Sequence, residues 1–232
     1  MLRPIHLRVV VFLATLLFPL MAPAHNPAFT DTFRIGDCSF VSRGSNPYFI
    51  LQPGFKLILE GEEDGELVRL EITVLDQTRV VAGVTTRIVE ERETHGGELV
   101  EVSRNFFAIC RPTNNVFYFG EDVDIYENGV VVSHEGAWRA GVNGARPGII
   151  MPGTQLIGAR YFQEIAPNVA LDRAEILSVT GTLTTPAGSF TKVLITEETT
   201  PLEPNAREVK QYAPWVGLIQ DGPLHLVFHT PR

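Results

Sequence analysis

Glycine-containing turn signals recur at a regular interval in the first half of this chain, and they limit its fold more than any other feature. Asp64-Gly65, Gly96-Gly97 and Asn128-Gly129 start at positions 64, 96 and 128, so successive turns lie 32 residues apart. Glycine accepts the positive φ of a type I′ turn, which joins two antiparallel strands tightly. Weaker turn sites, Ala82-Gly83 and Asn114-Asn115, fall between them. This spacing predicts an up-and-down antiparallel meander.

The segment after the first turn alternates as a strand with one buried face does. One set of alternate positions is apolar and comprises Val68, Leu70, Ile72 and Val74. The other set is mixed and comprises Leu67, Arg69, Glu71, Thr73 and Leu75. Side chains alternate between the two faces of a strand, so a period of two predicts one wet face and one buried face. We therefore predict a mostly β fold, an antiparallel meander forming a curved sheet, an open barrel or a sandwich, with little helix.

Strand-type segments continue to the end of the sequence, with one interruption. Residues 139–153 are rich in glycine and proline and lack periodicity, which predicts a long irregular connection and a candidate junction between two sub-domains. Gln155–Ile165 is a weak helical candidate whose Tyr161 and Phe162 fit a strand equally well. We assign residues 46–232 to the β-domain and residues 25–45 to an N-terminal extension.

The first residues have the three-part layout of a secretory signal. Arg3, His6 and Arg8 form a basic start, Val9–Met21 is an apolar run, and Ala22-Pro23-Ala24 offers small residues for cleavage. The run of about 13 residues is shorter than the roughly 20 that a membrane-spanning helix needs. We predict that residues 1–24 are a signal peptide. The protein would then be exported, periplasmic or extracellular, with no transmembrane segment after cleavage.

Two cysteines, Cys38 and Cys110, remain after the predicted cleavage. An even pair in an oxidising compartment predicts a disulfide. Two buried free thiols are the alternative. A metal pair is less favoured, because neither cysteine has a second ligand at chelating spacing.

The charge of the chain argues against polyanionic partners. The sequence has 19 basic and 27 acidic side chains, and removal of residues 1–24 leaves 17 against 27, a net charge of −10. Nucleic acids and anionic membrane surfaces attract clusters of lysine and arginine. We therefore expect no nucleic-acid partner.

A metal site is an alternative function, and it depends on the predicted cleavage. His25 would become the N-terminal residue, and its amine and imidazole together suit copper or zinc if a further histidine lies nearby. His134 is our candidate, while His95, His225 and His229 are further options. His225 and His229 are four residues apart, about 13 Å along a strand, which is too far to share one ion.

Catalytic signatures are missing from the sequence, which contains no nucleophile elbow, zinc-protease helix, phosphate-binding loop or dinucleotide-binding motif. We therefore favour a protein that is not an enzyme and expect no cofactor. A hydrolase that uses two carboxylates remains an alternative, because 27 acidic residues always include pairs at suitable distances.

Aromatic residues cluster in neighbouring predicted strands. They form either an ordinary core or the wall of an apolar pocket inside a curved sheet. Under the second interpretation the candidate ligand-binding residues are Phe117, Phe119, Trp138, Tyr161, Tyr212 and Trp215.

Two segments carry a family resemblance. Thr185–Val193 resembles a Pro-Ala-Gly hairpin, and Tyr212–Ile219 resembles the strand that follows it, in a family of uncharacterised secreted bacterial β-proteins. Asn46–Phe49 and Phe117–Asp122 fit the same pattern, although Trp215 stands where that family usually has glycine. The chain is also distantly similar to periplasmic lipoprotein-carrier-like open β-barrels. These resemblances imply an exported β fold that holds an apolar ligand, and they supply no catalytic residues.

Together these features predict an exported, non-enzymatic domain. It would bind a small apolar or amphipathic molecule, or a protein partner, on a concave β-face.

Overall fold

A computed structural model describes residues 28–231 and confirms the mostly β prediction. The strands of the first half are β1 (Phe40–Val41), β2 (Gly44–Asn46), β3 (Phe49–Leu51), β4 (Lys56–Glu63), β5 (Glu66–Val81), β6 (Val84–His95), β7 (Glu98–Cys110), β8 (Asn115–Glu127) and β9 (Val130–Ser133). Helix is limited, within the described residues, to one 3₁₀ turn over Ile35–Asp37.

The second half contributes shorter strands and two long ones. They are β10 (Trp138–Arg139), β11 (Arg146–Met151), β12 (Arg160–Phe162), β13 (Glu164–Ile165), β14 (Arg173–Thr185), β15 (Gly188–Thr199), β16 (Glu208–Ala213), β17 (Gly217–Asp221) and β18 (Leu224–His229).

The main sheet is an antiparallel meander that curls into a nearly closed barrel. Strands β4 to β8 pair in sequence order, and β11 follows β8; strands β14 to β18 also pair in sequence order. The two halves meet where β18 pairs with β4, with Leu226 opposite Leu59. Both of these leucines are fully buried. The interior of the curled sheet is therefore the core of the protein.

The predicted glycine turns join the long strands. Asp64 and Gly65 have φ of 50° and 86°, and Asn128 and Gly129 have φ of 51° and 76°. Positive φ at both central residues is the geometry of a type I′ turn. The alternation predicted after the first turn is also confirmed, since Val68, Leu70 and Val74 are buried.

The stretch predicted to be a long irregular connection is partly a strand, and that prediction is wrong for residues 146–151. Strand β11 pairs with β8, placing Gly148 opposite Tyr118 and Ile149 opposite Phe117. Glycine suits this strand because a Cβ at Gly148 would lie 2.5 Å from the carbonyl oxygens of Phe162 and Gln163. Close packing of backbone against backbone therefore explains a glycine that the sequence pattern attributes to a loop.

A single continuous segment, residues 160–165, spans the gap between the two halves of the barrel. Its first part, β12, pairs with β14, and its second part, β13, pairs with β11. The helical candidate at Gln155–Ile165 is thus wrong: residues 155–159 form a turn and irregular structure, and Tyr161 and Phe162 lie on β12. Thr30 hydrogen-bonds the free side of β12, because its amide donates to the Arg160 carbonyl at 2.9 Å and its carbonyl accepts from the Phe162 amide at 2.9 Å.

The N-terminal residues are fastened to the barrel. Cys38 and Cys110 form the predicted disulfide, with a Cα–Cα distance of 5.0 Å, and β1 pairs with β7. The predicted signal peptide and His25 lie outside the described residues. Across residues 28–231, the structure contains no helix with the length and apolar character that a membrane span requires.

The short β2–β3 hairpin covers one end of the barrel, and Asn46 holds it there. Asn46 is fully buried, and its Nδ2 donates to the carbonyls of Asn114 at 2.9 Å and Pro152 at 2.8 Å. Its Oδ1 accepts from the Tyr48 amide at 2.9 Å. One side chain thereby satisfies three backbone groups from three different segments.

We expect Asn46→Ala to lower the free energy of unfolding by about 2 kcal/mol, because buried backbone groups would lose their hydrogen bonds. Urea unfolding followed by circular dichroism measures this. Asn205→Ala is the control, since Asn205 lies in an exposed turn and has no positive φ. Equal stability of the two variants would contradict the role given to Asn46.

Candidate functional site

An apolar cavity of about 120 Å³ lies inside the barrel beneath the β2–β3 hairpin. Its wall comes from the hairpin, from the inward faces of β4 to β7 and from β16 and β17. The apolar side chains that line it are Tyr48, Phe49, Ile50, Phe55, Leu57, Ile72, Val74, Val89, Phe107, Ile150, Tyr212, Val216 and Leu218. We call this space the apolar cavity.

A second space of about 110 Å³ adjoins it and has a different chemistry. It is lined by Leu70, Glu91, Glu93, Glu101, Ser103 and Asp221. We call it the carboxylate cavity. Glu91 and Asp221 line both spaces, so the two share a wall. The barrel interior is therefore amphipathic, apolar at the end covered by the hairpin and acidic next to it.

The register of β6 and β7 explains how these acids come to face inward. Val89, Glu91 and Glu93 are alternate residues of β6, so they share one face of the sheet. In the ladder between the strands, Ser103 lies opposite Glu91 and Glu101 lies opposite Glu93. The same strand face is thus apolar at one end and polar at the other.

Lys210 is the basic residue that lines the apolar cavity, and it is surrounded by acids. Its Nζ lies 3.3 Å from Asp221, 3.5 Å from Glu198 and 3.7 Å from Glu208. Burial alone would lower the pKa of Lys210, but these carboxylates raise it well above its usual value. Lys210 therefore remains charged in the folded protein.

Several interior carboxyls hold protons more tightly than usual. Burial raises the pKa of Glu91 to about 7, with Lys210 opposing the shift and Asp221 adding to it. Burial also raises the pKa of Glu101, and Glu93 contributes to that shift. The cause is the cost of placing a negative charge away from water. At neutral pH Glu91 is therefore present in both its protonated and its ionised form.

A polar network continues from this cavity along the interior. The hydroxyl of Tyr118 donates to Asn105, and Nδ2 of Asn105 donates to Ser103 Oγ at 3.3 Å. Burial raises the pKa of Glu121, which neighbours Tyr118, to about 7. Burial likewise raises the pKa of Glu164, whose Oε1 accepts from the Asp172 amide at 3.0 Å. These groups are buried but hydrogen-bonded, so they fix the geometry around the cavity.

The six aromatic residues predicted to bind a ligand lie in different places, and Tyr212 is the one among them that lines the apolar cavity. Phe117 and Phe119 pack against Phe40 with ring centroids 5.5 and 5.3 Å away, which places them in a packed aromatic group. Trp138 is buried and packs edge-on against Tyr118 at 5.2 Å.

Tyr161 and Trp215 complete this set. Tyr161 is buried on β12 near Glu198, whose charge helps to raise the pKa of the tyrosine after the larger effect of burial. Trp215 is 51% exposed and has a positive φ of 67°. Glycine would adopt that backbone conformation with less strain than tryptophan does.

Sequence reasoning missed Glu91, Glu101 and Lys210 as parts of the interior. Charged residues at alternate strand positions are typical of a solvent-facing side, so the pattern alone gives no sign that Glu91 and Glu93 line a cavity. The missed signal was Val89, which shares their face and is apolar. A change from apolar to acidic along one face is the pattern of a strand that lines an amphipathic cavity.

The metal hypothesis can be placed only in part. His134 follows β9, is 69% exposed in its side chain, and its Nδ1 lies 2.8 Å from the Val123 carbonyl and 3.0 Å from Asp124. His25 lies outside the described residues. Between residues 28 and 231 the structure shows no group of three or more histidine, cysteine, aspartate or glutamate residues placed to hold a metal ion. The site at His25 and His134 stays a prediction, as does the two-carboxylate hydrolase.

The chain matches no known protein family, no curated protein and no solved structure. The functional argument therefore depends on the cavity itself.

Proposed function

We propose that this is an exported, non-enzymatic binding protein that holds a small amphipathic molecule inside its barrel. The observation that supports this most directly is the pair of adjoining spaces, one apolar and one lined by carboxylates. A ligand with an apolar part and a polar part would match both. Binding pockets in proteins combine an apolar wall with a few placed polar groups in the same way.

The size of the apolar cavity limits the apolar part of the ligand. An engineered cavity of about 150 Å³ in another protein holds a benzene molecule. The 120 Å³ here therefore suits one ring or a short alkyl chain. A small molecule also fits a space of this volume better than a protein partner does, so we favour the small-molecule form of the prediction.

Lys210 marks the side from which such a ligand would enter. It lines the apolar cavity and also an outer cleft of about 500 Å³ that includes Glu198, Glu208 and Arg207. One side chain thus separates the inside of the barrel from the surface. Movement of the Lys210 side chain would connect the cleft with the cavity.

The disulfide supports the compartment part of the proposal. Disulfides persist in oxidising compartments outside the cytosol, and the Cys38–Cys110 bond is compatible with the predicted export signal.

Filling the apolar cavity tests the proposed function. We expect wild-type protein to bind 2-phenylethanol saturably in isothermal titration calorimetry and Val89→Phe to bind it at least about tenfold more weakly, because the added ring occupies the cavity. Val80→Phe is the matched control, since Val80 is 68% exposed on β5 and should leave binding unchanged.

The stability of both variants is measured alongside, because overpacking costs about 1–3 kcal/mol. Mass spectrometry of freshly purified protein for a retained small molecule gives a second readout. Equal binding of 2-phenylethanol by wild-type protein and by Val89→Phe would overturn the proposed function.

A further inference from the structure

The carboxylate cavity has an unbalanced charge. Four of the six residues that line it are acidic, and the others are Leu70 and Ser103, so no basic side chain among the described residues lines it. All four acids are partly buried, and grouping carboxylates away from bulk water without a matching number of cations costs free energy. The unbalanced acids therefore call for a functional explanation.

The pairing of β6 with β7 brings two of these negative charges close together. Glu93 and Glu101 lie directly opposite each other on neighbouring strands, an arrangement that is destabilising for like charges. His95 meets Glu93, with Nε2 2.7 Å from Oε1. Glu101 has no ion pair with any residue that the structure describes. Departures from a local design rule concentrate at functional sites.

Lys210 is the lysine beside this cavity, and it already forms ion pairs with other carboxylates. Nζ of Lys210 lies within 4 Å of Asp221, Glu198 and Glu208, so three carboxylates share one positive charge. Glu91 makes no hydrogen bond or ion pair with another side chain of the described residues. An additional cation is the group that would balance Glu91 and Glu101.

We propose that the ligand of this cavity is a small amine, with its ammonium group in the carboxylate cavity and its apolar tail in the apolar cavity. This inference rests on the proposed function and names its ligand class. An ammonium group has three donors and no acceptor, which suits a wall of carboxylates and one hydroxyl. Glu91 lines both cavities, so it stands where the charged head of the ligand would join its tail.

The ionisation of Glu91 makes the proposal testable by pH. Its pKa is about 7, raised first by burial. The charged groups around it on its own and neighbouring strands are Glu93, Glu101, Glu121, Lys210 and Asp221. An amine keeps its proton up to about pH 10. Amine binding should therefore strengthen as pH rises from 5.5 to 8, and below pH 7 binding should release a proton from Glu91.

The experiment compares three molecules of similar shape by calorimetry, namely 2-phenylethylamine, 2-phenylethanol and 3-phenylpropionate. We expect the amine to bind wild-type protein at least about tenfold more tightly than the alcohol at pH 8, and the acid to bind most weakly. The affinity for the amine should rise with pH, while that for the alcohol should not change.

Variants locate the effect. Glu91→Gln and Glu101→Gln should each weaken amine binding by about tenfold and leave alcohol binding unchanged. Both variants are expected to fold, because each removes a poorly solvated charge and keeps the side-chain size. Glu66→Gln, at an exposed position on β5, makes the same charge change outside the cavity and should have no effect.

The outcomes separate the two claims. Alcohol bound as tightly as amine, or amine affinity unaffected by Glu91→Gln and Glu101→Gln, would overturn the amine assignment and leave the proposed function standing. Failure of wild-type protein to bind any of the three molecules would overturn both.

Discussion

Replacing Cys38 and Cys110 together with alanine is expected to lower the free energy of unfolding by about 4 kcal/mol. The disulfide joins residues separated by 72 positions, so it removes much conformational freedom from the unfolded chain. It also fastens residues 28–41 to β7, next to the fully buried Phe106 and Ala108. Because both effects are lost together, we expect a large decrease in the free energy of unfolding.

Urea unfolding of the double variant, followed by circular dichroism, measures this loss. Dithiothreitol should bring the wild-type protein to the same stability and should leave the double variant unchanged. A difference between oxidised wild type and the double variant below about 1 kcal/mol would show that the bond contributes little beyond the contacts around it.

Lys210→Met is expected to cost about 3–5 kcal/mol, because it leaves Asp221, Glu198 and Glu208 without the cation that they share. Methionine keeps much of the length of the side chain, so the loss reports mainly on charge. The control is Lys192→Met, at an exposed position on β15, which should change stability by less than about 0.5 kcal/mol.

The sign of the pH dependence shows whether Lys210→Met loses stability through the missing charge or through lost packing. Burial raises the pKa of Glu208 to about 7 although Lys210 lowers it, so the loss of Lys210 favours the protonated form of Glu208 in the folded state. Stability that depends on such protons is present at low pH and is lost as pH rises. The deficit of Lys210→Met relative to wild type should therefore shrink between pH 7 and pH 4.5, and a deficit independent of pH would point to lost packing instead.

Local features of the fold could be predicted because they depend on neighbouring residues. The turn at Asn128-Gly129 needs only two residues with positive φ, and the burial of Val68, Leu70 and Val74 follows from a period of two. The disulfide could also be predicted, because the chain has two cysteines and a predicted export signal.

Features that depend on distant residues could not be predicted in the same way. No local pattern places Leu226 opposite Leu59, or shows that residues 160–165 join the two halves of the barrel. Strand β11 was missed because Pro147 and Gly148 favour a loop, whereas the close approach of Phe162 and Gln163 requires that glycine.

The candidate site was predicted only in outline. Tyr212 was found because aromatic residues often line apolar pockets, but Trp138 and Phe117 have the same chemistry and pack elsewhere. Glu91 was missed because sequence alternation reports which residues share a face and not whether that face is wet. Only the curling of the sheet places a charged face inside.

The pairing of β18 with β4 has a consequence for how the chain reaches its native state. These strands are neighbours in the barrel, although nearly the whole described chain separates them in sequence. Folds dominated by such distant pairings fold slowly, because the entropy of closing a long loop is lost before the contacts are gained. Until the two strands meet, each exposes a row of unpaired amides and carbonyls, the type of edge on which other chains assemble. Barrel closure is therefore the step at which folding competes with aggregation.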